Sequence, residues 1–216
     1  AVAARGATFI GPSPRWIRAM GDKIQARRLM ADHGFPVLPG SEALADPDEA
    51  RREAERLGFP LMLKPAAGGG GIGMQIVRDA DELARALPRS RRLAGAAFGD
   101  ERVFLEACVD RPRHVEIQLL ADRQGRAMHL YERDCSLQMR HRKLVEEAPA
   151  PGLERGPLEE LCARAEQAAM ELGYDNVGTL ETLRDAGGGF GFIEMNTRIQ
   201  VEHGVTEAVT GLDLVA

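Results

Sequence analysis

The sequence predicts an α+β fold built on antiparallel sheets. Two observations carry that expectation. Alternating strands turn back through short polar loops, once after His114-Val-Glu-Ile-Gln-Leu-Leu120 at Asp122-Arg-Gln-Gly125, and again at Asp185-Ala-Gly-Gly-Gly189. Capped helical segments lie between these hairpins, and hairpins interspersed with helices do not build a doubly wound parallel sheet.

In chain order, Thr8-Phe9-Ile10-Gly11 reads as a short buried strand. Ser13 and Pro14 suit the cap and first position of a helix. A second helix is expected from Asp22 to about His33, closed by Gly34. Asp46-Pro-Asp-Glu49 is a capping box opening a helix to Leu57-Gly58. Strands 61–64 and 74–77 flank a glycine-rich loop. Helices 79–87 and 89–98 follow, separated at Pro88, then strand 103–106 and the hairpin 114–133. Residues 139–156 read as a long proline-containing loop. A helix over 157–172 ends at Gly173, and strands 177–183 and 190–196 form the last hairpin. Thr206 to Ala216 starts a helical pattern and stops. Both ends are therefore expected to be cuts in a longer chain.

At 216 residues with 44% hydrophobic and 28% charged content, the chain is long enough to bury a sizeable core. Its net charge of -5 gives no reason to expect nucleic acid or an anionic membrane as partner, and no apolar run approaches a membrane span. Cys108, Cys135 and Cys162 form no CxxC pair, which favours a reducing compartment: the cytoplasm, or the mitochondrial matrix in a eukaryote. The five histidines show no HxxxH or HExxH spacing, so zinc has little support.

Chemistry concentrates in two stretches. Residues 193–204, Ile-Glu-Met-Asn-Thr-Arg-Ile-Gln-Val-Glu-His-Gly, set Glu194 and Asn196 two apart on a strand, facing one side, as hard oxygen ligands for Mg2+. Arg198 and Gln200 continue toward a small anion, with Glu202 beside them as a candidate base. Taken singly, each of these residues also fits a polar strand end or a solvated loop. The second stretch, Lys64-Pro-Ala-Ala-Gly-Gly-Gly-Gly-Ile-Gly-Met74, lets backbone N–H groups approach phosphates. Gly68, Gly70 and Gly73 satisfy GxGxxG, but Met-Gln-Ile-Val continues as a strand rather than a helix, which argues against a dinucleotide fold. No Gly-Lys-Ser/Thr follows, which argues against a Walker loop. A glycine hairpin between strands suits a flexible lid over ATP phosphates, with the Lys64 ammonium nearby.

These residues resemble the ATP-grasp region of biotin carboxylases. The matching segments are Phe9-Ile-Gly-Pro12, Met20-Gly-Asp-Lys23, the glycine loop, Pro112-Arg-His-Val-Glu-Ile-Gln118, Glu132-Arg-Asp-Cys-Ser-Leu-Gln138, Glu146-Glu-Ala-Pro-Ala-Pro151 and Ile193–His203, in order along nearly the whole chain. Glu-Glu-Ala-Pro-Ala-Pro and Glu-Met-Asn-Thr lean toward acyl-CoA carboxylases over pyruvate carboxylase. The resemblance implies two α+β subdomains gripping ATP between antiparallel sheets. Residues 1–37 would end a preceding domain, 38–108 would form the lid subdomain, and 109–216 an incomplete central subdomain.

It also implies a reaction, in which ATP phosphorylates bicarbonate to carboxyphosphate and the CO2 released is taken by biotin on a carrier protein. A carboxyltransferase component and a homo-oligomeric parent are implied as partners. Lys23 and Lys64 resemble phosphate contacts, together with Gly68, Gly69, Gly70, Gly71 and Gly73. Glu106 and the backbone of Ala107 to Val109 resemble the adenine hinge, with Met74 and Leu183 on either side of the base. His114, Gln138 and His141 resemble ribose and phosphate contacts. Glu181, Glu194 and Asn196 resemble the Mg2+ ligands, a site that Mn2+ would also suit. Lys143, Arg198, Gln200 and the Val201 backbone resemble a bicarbonate pocket, and Glu202 the base that deprotonates bicarbonate. Read without the resemblance, Lys23 also fits a solvated helix position and His114 a packed strand histidine.

The chain departs from the family pattern at Pro65, at Ala66-Ala67 in place of Ser-Gly, at Ile72 in place of a basic residue, at Met139 for Arg and at Gly204 for Pro. These departures bear on lid closure and turnover more than on nucleotide binding. Two alternatives stand beside the enzyme reading: a nucleotide-binding module without turnover, and another ATP-grasp ligase. The isolated chain is expected to turn over weakly or not at all.

Overall fold

A computed structural model describes residues 2–140 and 142–216. Helices α1 (Pro14–Gly21) and α2 (Lys23–Asp32) lead to α3 (Pro47–Leu57), β1 (Leu61–Pro65), β2 (Gln75–Val77), α4 (Ala80–Phe98) and β3 (Val103–Ala107). There follow β4 (Arg113–Ala121), β5 (Ala127–Met139), β6 (Arg142–Glu147), α5 (Arg155–Leu172), β7 (Asn176–Arg184), β8 (Phe190–Asn196) and α6 (His203–Thr210). The strands form a three-stranded sheet, β2-β1-β3, and a five-stranded sheet, β6-β5-β4-β7-β8. Among the described residues, every pairing between these strands is antiparallel.

Period-2 alternation sorts each sheet into two faces. Leu61, Leu63, Val103 and Leu105 pack under α3 and α4, while Lys64 and Glu106 belong to the opposite face. In β4, Ile117 and Leu119 join Leu161, Ala165 and Ala168 of α5 and Trp16 and Met30 of α1 and α2 in the larger core. Full burial of each such leucine or isoleucine contributes about 2 kcal/mol. The intervening His114, Glu116 and Gln118 fall on the other face, and there the polar groups gather.

The linker after α2 ties the two sheets together. The Phe192 N–H donates to the Pro36 carbonyl at 2.8 Å, and the Ser41 N–H donates to the Leu105 carbonyl at 2.8 Å. Glycine is required along this path. A Cβ on Gly191 would lie 2.3 Å from Leu38, and one on Gly40 would lie 1.8 Å from the buried Arg27 guanidinium.

Four sequence expectations are corrected. Residues 8–11 form no strand: Ile10 is 90% exposed, and no described strand offers itself as a partner. Residues 80–98 are one helix running through Pro88, because the buried stripe of Leu83, Ala86 and Leu87 continues at Ser90 and Ala94. The helix keeps its packed face at the cost of one backbone hydrogen bond. The loop expected over 139–156 contains β6, whose residues are mostly exposed on both faces and so carry no burial pattern in sequence. Finally, α6 starts at His203 rather than near Thr206.

Candidate functional site

Sheet register builds the floor of a cleft of about 850 Å3. Arg133 of β5 pairs with Glu116 of β4, Glu116 with Glu181 of β7, and Glu181 with Glu194 of β8. Directly opposed residues share a face, so one row across four strands reads Arg, Glu, Glu, Glu. Three adjacent carboxylates repel one another unless cations intervene, and cations do. The Lys143 ammonium, from β6, donates to Glu116, to Glu181 at 2.9 Å and to Glu202 at 2.6 Å. Lys23, at the start of α2, donates to Glu194. Arg133 donates through Nε to Glu116 at 2.7 Å.

Protonation follows from these partners. Burial alone would raise the Glu181 carboxyl, but His114 and Lys143 reverse that and hold it at about 2. Glu116 is likewise held below the usual carboxylate range, burial being outweighed by His114 and Arg133. Burial opposes charge on Lys143, yet Glu181 and Glu116 push its pKa above the ordinary lysine value. Burial also opposes charge on His114, and the Glu116 and Glu181 carboxylates still raise it to about 9. Its Nε2 lies 3.1 Å from Glu181, within ion-pair range, but has no aligned hydrogen-bond acceptor. Its Nδ1 meets the Gln138 amide at 3.0 Å.

The remaining expected residues fall around this floor. Asn196 donates to Glu181 at 2.7 Å and accepts from Arg198 at 3.2 Å. Gln200, 5% exposed, donates to Glu181 at 3.0 Å. Glu202 occupies the cap position of α6 without capping it, because its carboxylate is taken by Lys143. Val201 is 96% exposed at the cleft rim. On the other sheet, Lys64 and Glu106 form a buried pair at 2.7 Å. Met74, Ala107, Val109 and Leu183 line the cleft. His141 lies outside the described residues.

The glycine loop is held at both ends. Gly68 has φ +85, and a Cβ there would lie 2.3 Å from the Phe98 ring. The Gly73 carbonyl accepts from the Ser90 hydroxyl at 2.7 Å. Between them Gly70 and Gly71 adopt φ +69 and +74, and a Cβ on Gly69 or Gly70 would meet nothing. The loop is therefore a tethered span with a free tip.

Sequence reasoning missed Glu116 and Arg133. A signal for Glu116 was present: His114, Glu116 and Gln118 alternate within one strand, three polar residues on a single face. Arg133 carried no such mark, since its partners follow from hairpin register.

The residues on the floor suit a divalent cation. Glu181 and Glu194 present carboxylates side by side on one face, the Asn196 amide is two residues further along β8, and each carboxylate is already paired with a lysine ammonium. Hard oxygen donors of this kind match the coordination chemistry of Mg2+, and the ammoniums now on them would give way to the ion.

Two antiparallel sheets closing a glycine-loop cleft over a carboxylate floor are the ATP-grasp architecture. The chain belongs to the family described as carbamoyl-phosphate synthase L chain, ATP binding domain, whose model matches residues 22–216. It is 51% identical over 211 residues to a biotin carboxylase of Halalkalibacterium halodurans, covering 97% of this chain and 47% of that protein. It is 49% identical over 212 residues to the pyruvate carboxylase subunit of Methanothermobacter thermautotrophicus, covering 98% of this chain and 43% of that one. It superposes with TM-score 0.95 and 45% identity on the biotin carboxylase domain of Hydrogenobacter thermophilus 2-oxoglutarate carboxylase, solved with MgADP, ADP and bicarbonate, over 99% of this chain and 47% of that one. The chain thus spans about half the length of these relatives. Identity to the pyruvate carboxylase relative is about as high as identity to the biotin carboxylase, so it does not favour an acyl-CoA enzyme. Among the described residues, no helix is long and apolar enough to cross a membrane.

Proposed function

We propose that this chain is the ATP-grasp part of a biotin carboxylase, in which ATP and bicarbonate yield carboxyphosphate and the carboxyl group passes to biotin on a carrier protein. The observation that carries the reading is that Glu181 and Glu194, side by side on adjacent strands, line one cleft with the glycine loop and Lys64. Phosphoryl transfer needs charge neutralisation and in-line placement more than covalent help. Bound at Glu181, Glu194 and Asn196, Mg2+ (or Mn2+) would neutralise the ATP phosphates. Lys23 and Lys64 hold phosphate oxygens, and the loop tip at 69–72 closes over them. Ala107 to Val109 bond the adenine edge through their backbone, between Met74 and Leu183. His114 and Gln138 meet the ribose or phosphates.

Lys143, Arg198, Gln200 and the Val201 backbone hold bicarbonate. Glu202 leaves Lys143 for the bicarbonate proton, and the same ammonium then faces the anion. Residues 38–108 act as the lid and 109–216 as the base. The same reading brings a biotin carrier and a carboxyltransferase as partners, a homo-oligomeric parent, and a cytoplasmic or matrix location.

The test is ADP release with bicarbonate and free biotin, measured on this chain and on a protein carrying it together with the remaining length its relatives have. The longer protein should release ADP in a bicarbonate-dependent way. Its Glu202→Ala variant should lose that release with little change in ATP affinity, because Glu202 moves a proton and does not bind nucleotide. Unchanged release by that variant would overturn the base assignment. The short chain is expected to turn over weakly, since a misplacement of about 1 Å costs on the order of a hundredfold. Vigorous biotin-dependent turnover by the short chain would overturn that expectation.

A further inference from the structure

We propose that Arg133 is a positioning residue for the anion end of the cleft, a role that rests on the function proposed above. Its side chain is fully buried, and every guanidinium nitrogen is engaged. Nε donates to Glu116 at 2.7 Å, Nη1 to Gln118 at 2.9 Å and to Thr206 at 2.8 Å, and Nη2 to Gln200 at 2.9 Å. One planar group therefore joins β5 and β4 to α6 and to the irregular segment between β8 and α6.

Two of these acceptors lead directly to the proposed bicarbonate contacts. The second oxygen of Glu116 holds Lys143, and the amide nitrogen of Gln200 donates to Glu181 at 3.0 Å. The segment 197–202 has no ladder of its own to fix it on the sheet. Lys143 holds it through Glu202, and Arg133 adds the buried anchor, gripping Gln200 within the segment and Thr206 just beyond it. A buried ion pair is weak evidence for stability as such, because desolvation offsets the attraction. What a rigid five-donor fork supplies is geometry, and a lysine ammonium cannot reproduce it. The contacts of Arg133 do not extend to Lys23, Lys64 or the glycine loop, and Glu181, which it reaches only through Gln200, keeps Lys143 and Asn196, so nucleotide binding should change far less than bicarbonate binding.

The test uses Arg133→Lys in the longer protein. The Michaelis constant for bicarbonate should rise about ten- to a hundredfold, by analogy with loss of a residue that orients a ligand, while that for ATP stays within about twofold. A folded variant with both constants unchanged, or with both raised equally, overturns the proposal. A second readout does not depend on the reaction. Amide exchange across 197–206 should quicken in Arg133→Lys, with β4 and β7 as protected as before. Unchanged exchange there overturns the proposal even if the longer protein shows no bicarbonate-dependent reaction at all, which would sink the functional reading separately. Should Arg133→Lys fail to fold, Thr206→Val removes one of the same bonds from α6. It should shift both readouts in the same direction by a smaller amount, and no shift overturns the proposal.

Discussion

Replacing Lys143 by methionine removes the cation that three carboxylates share. Glu116 keeps Arg133, and Glu181 keeps His114, Asn196 and Gln200. Among the described residues, Glu202 loses the side-chain partner it has. Breaking a buried ion pair by deleting one member costs about 3–5 kcal/mol. The Lys143 side chain is 17% exposed and Glu202 10%, so water in the cleft screens part of this, and about 2–3 kcal/mol is the better expectation. For a chain of this size that corresponds to a fall of about 4–12 °C in the unfolding midpoint. The assay is thermal unfolding by circular dichroism near neutral pH, without and with Mg2+. Without Mg2+ the variant should melt lower by that amount. With Mg2+ it should regain more stability than the parent does, because the ion restores positive charge at Glu181, one of the carboxylates Lys143 served. A midpoint equal to the parent's in both conditions would refute the claim that Lys143 balances this row.

Other outcomes follow from the same geometry. Cys108 is half-buried in the cleft wall, whereas Cys135 and Cys162 are fully buried, and burial raises Cys162 to about 12 and Cys135 further. A thiol-alkylating reagent should therefore modify Cys108 first, and MgATP should slow it; first modification at Cys135, or no protection, contradicts the cleft assignment. Amide exchange at 69–72 should be fast without nucleotide and slowed by MgATP, and equal exchange in both states counts against a lid. Gly68→Ala should destabilise the folded chain more than Gly70→Ala, since both need positive φ but a Cβ at 68 also meets Phe98. Comparable unfolding midpoints for the two variants would show that the Phe98 contact does not hold the loop.

The legible parts of the sequence were those where one local rule decides. Asp46 caps its helix as expected, accepting from the Glu49 N–H at 2.8 Å, and the helix expected from Asp22 starts one residue later, with Asp22 as its cap accepting from the Gln25 N–H at 3.0 Å. Both large hairpins followed from alternation ending at polar turns. The unread parts were non-local. β6 is an edge strand whose residues face water on most sides, so neither burial nor alternation marks it. Pro88 reads as a break because local chemistry disfavours it, and only the packed face of α4 overrides that. Glu194, Asn196, Arg198, Gln200 and Glu202 were visible as a cluster because they are neighbours in sequence. The Arg133–Glu116–Glu181 row was not, because its members are brought together by strand register.

On the function proposed above, Glu181 and Glu194 hold the metal of a bound MgATP in this cleft. Isothermal calorimetry of MgATP binding to this chain, beside Glu181→Gln and Glu194→Gln, tests it most directly, with circular dichroism confirming that both variants are folded. Each variant should bind MgATP more weakly by about tenfold or more, on the scale set by loss of a metal-site residue, while metal-free ATP binding changes far less. Variants that bind MgATP as tightly as the parent would contradict it.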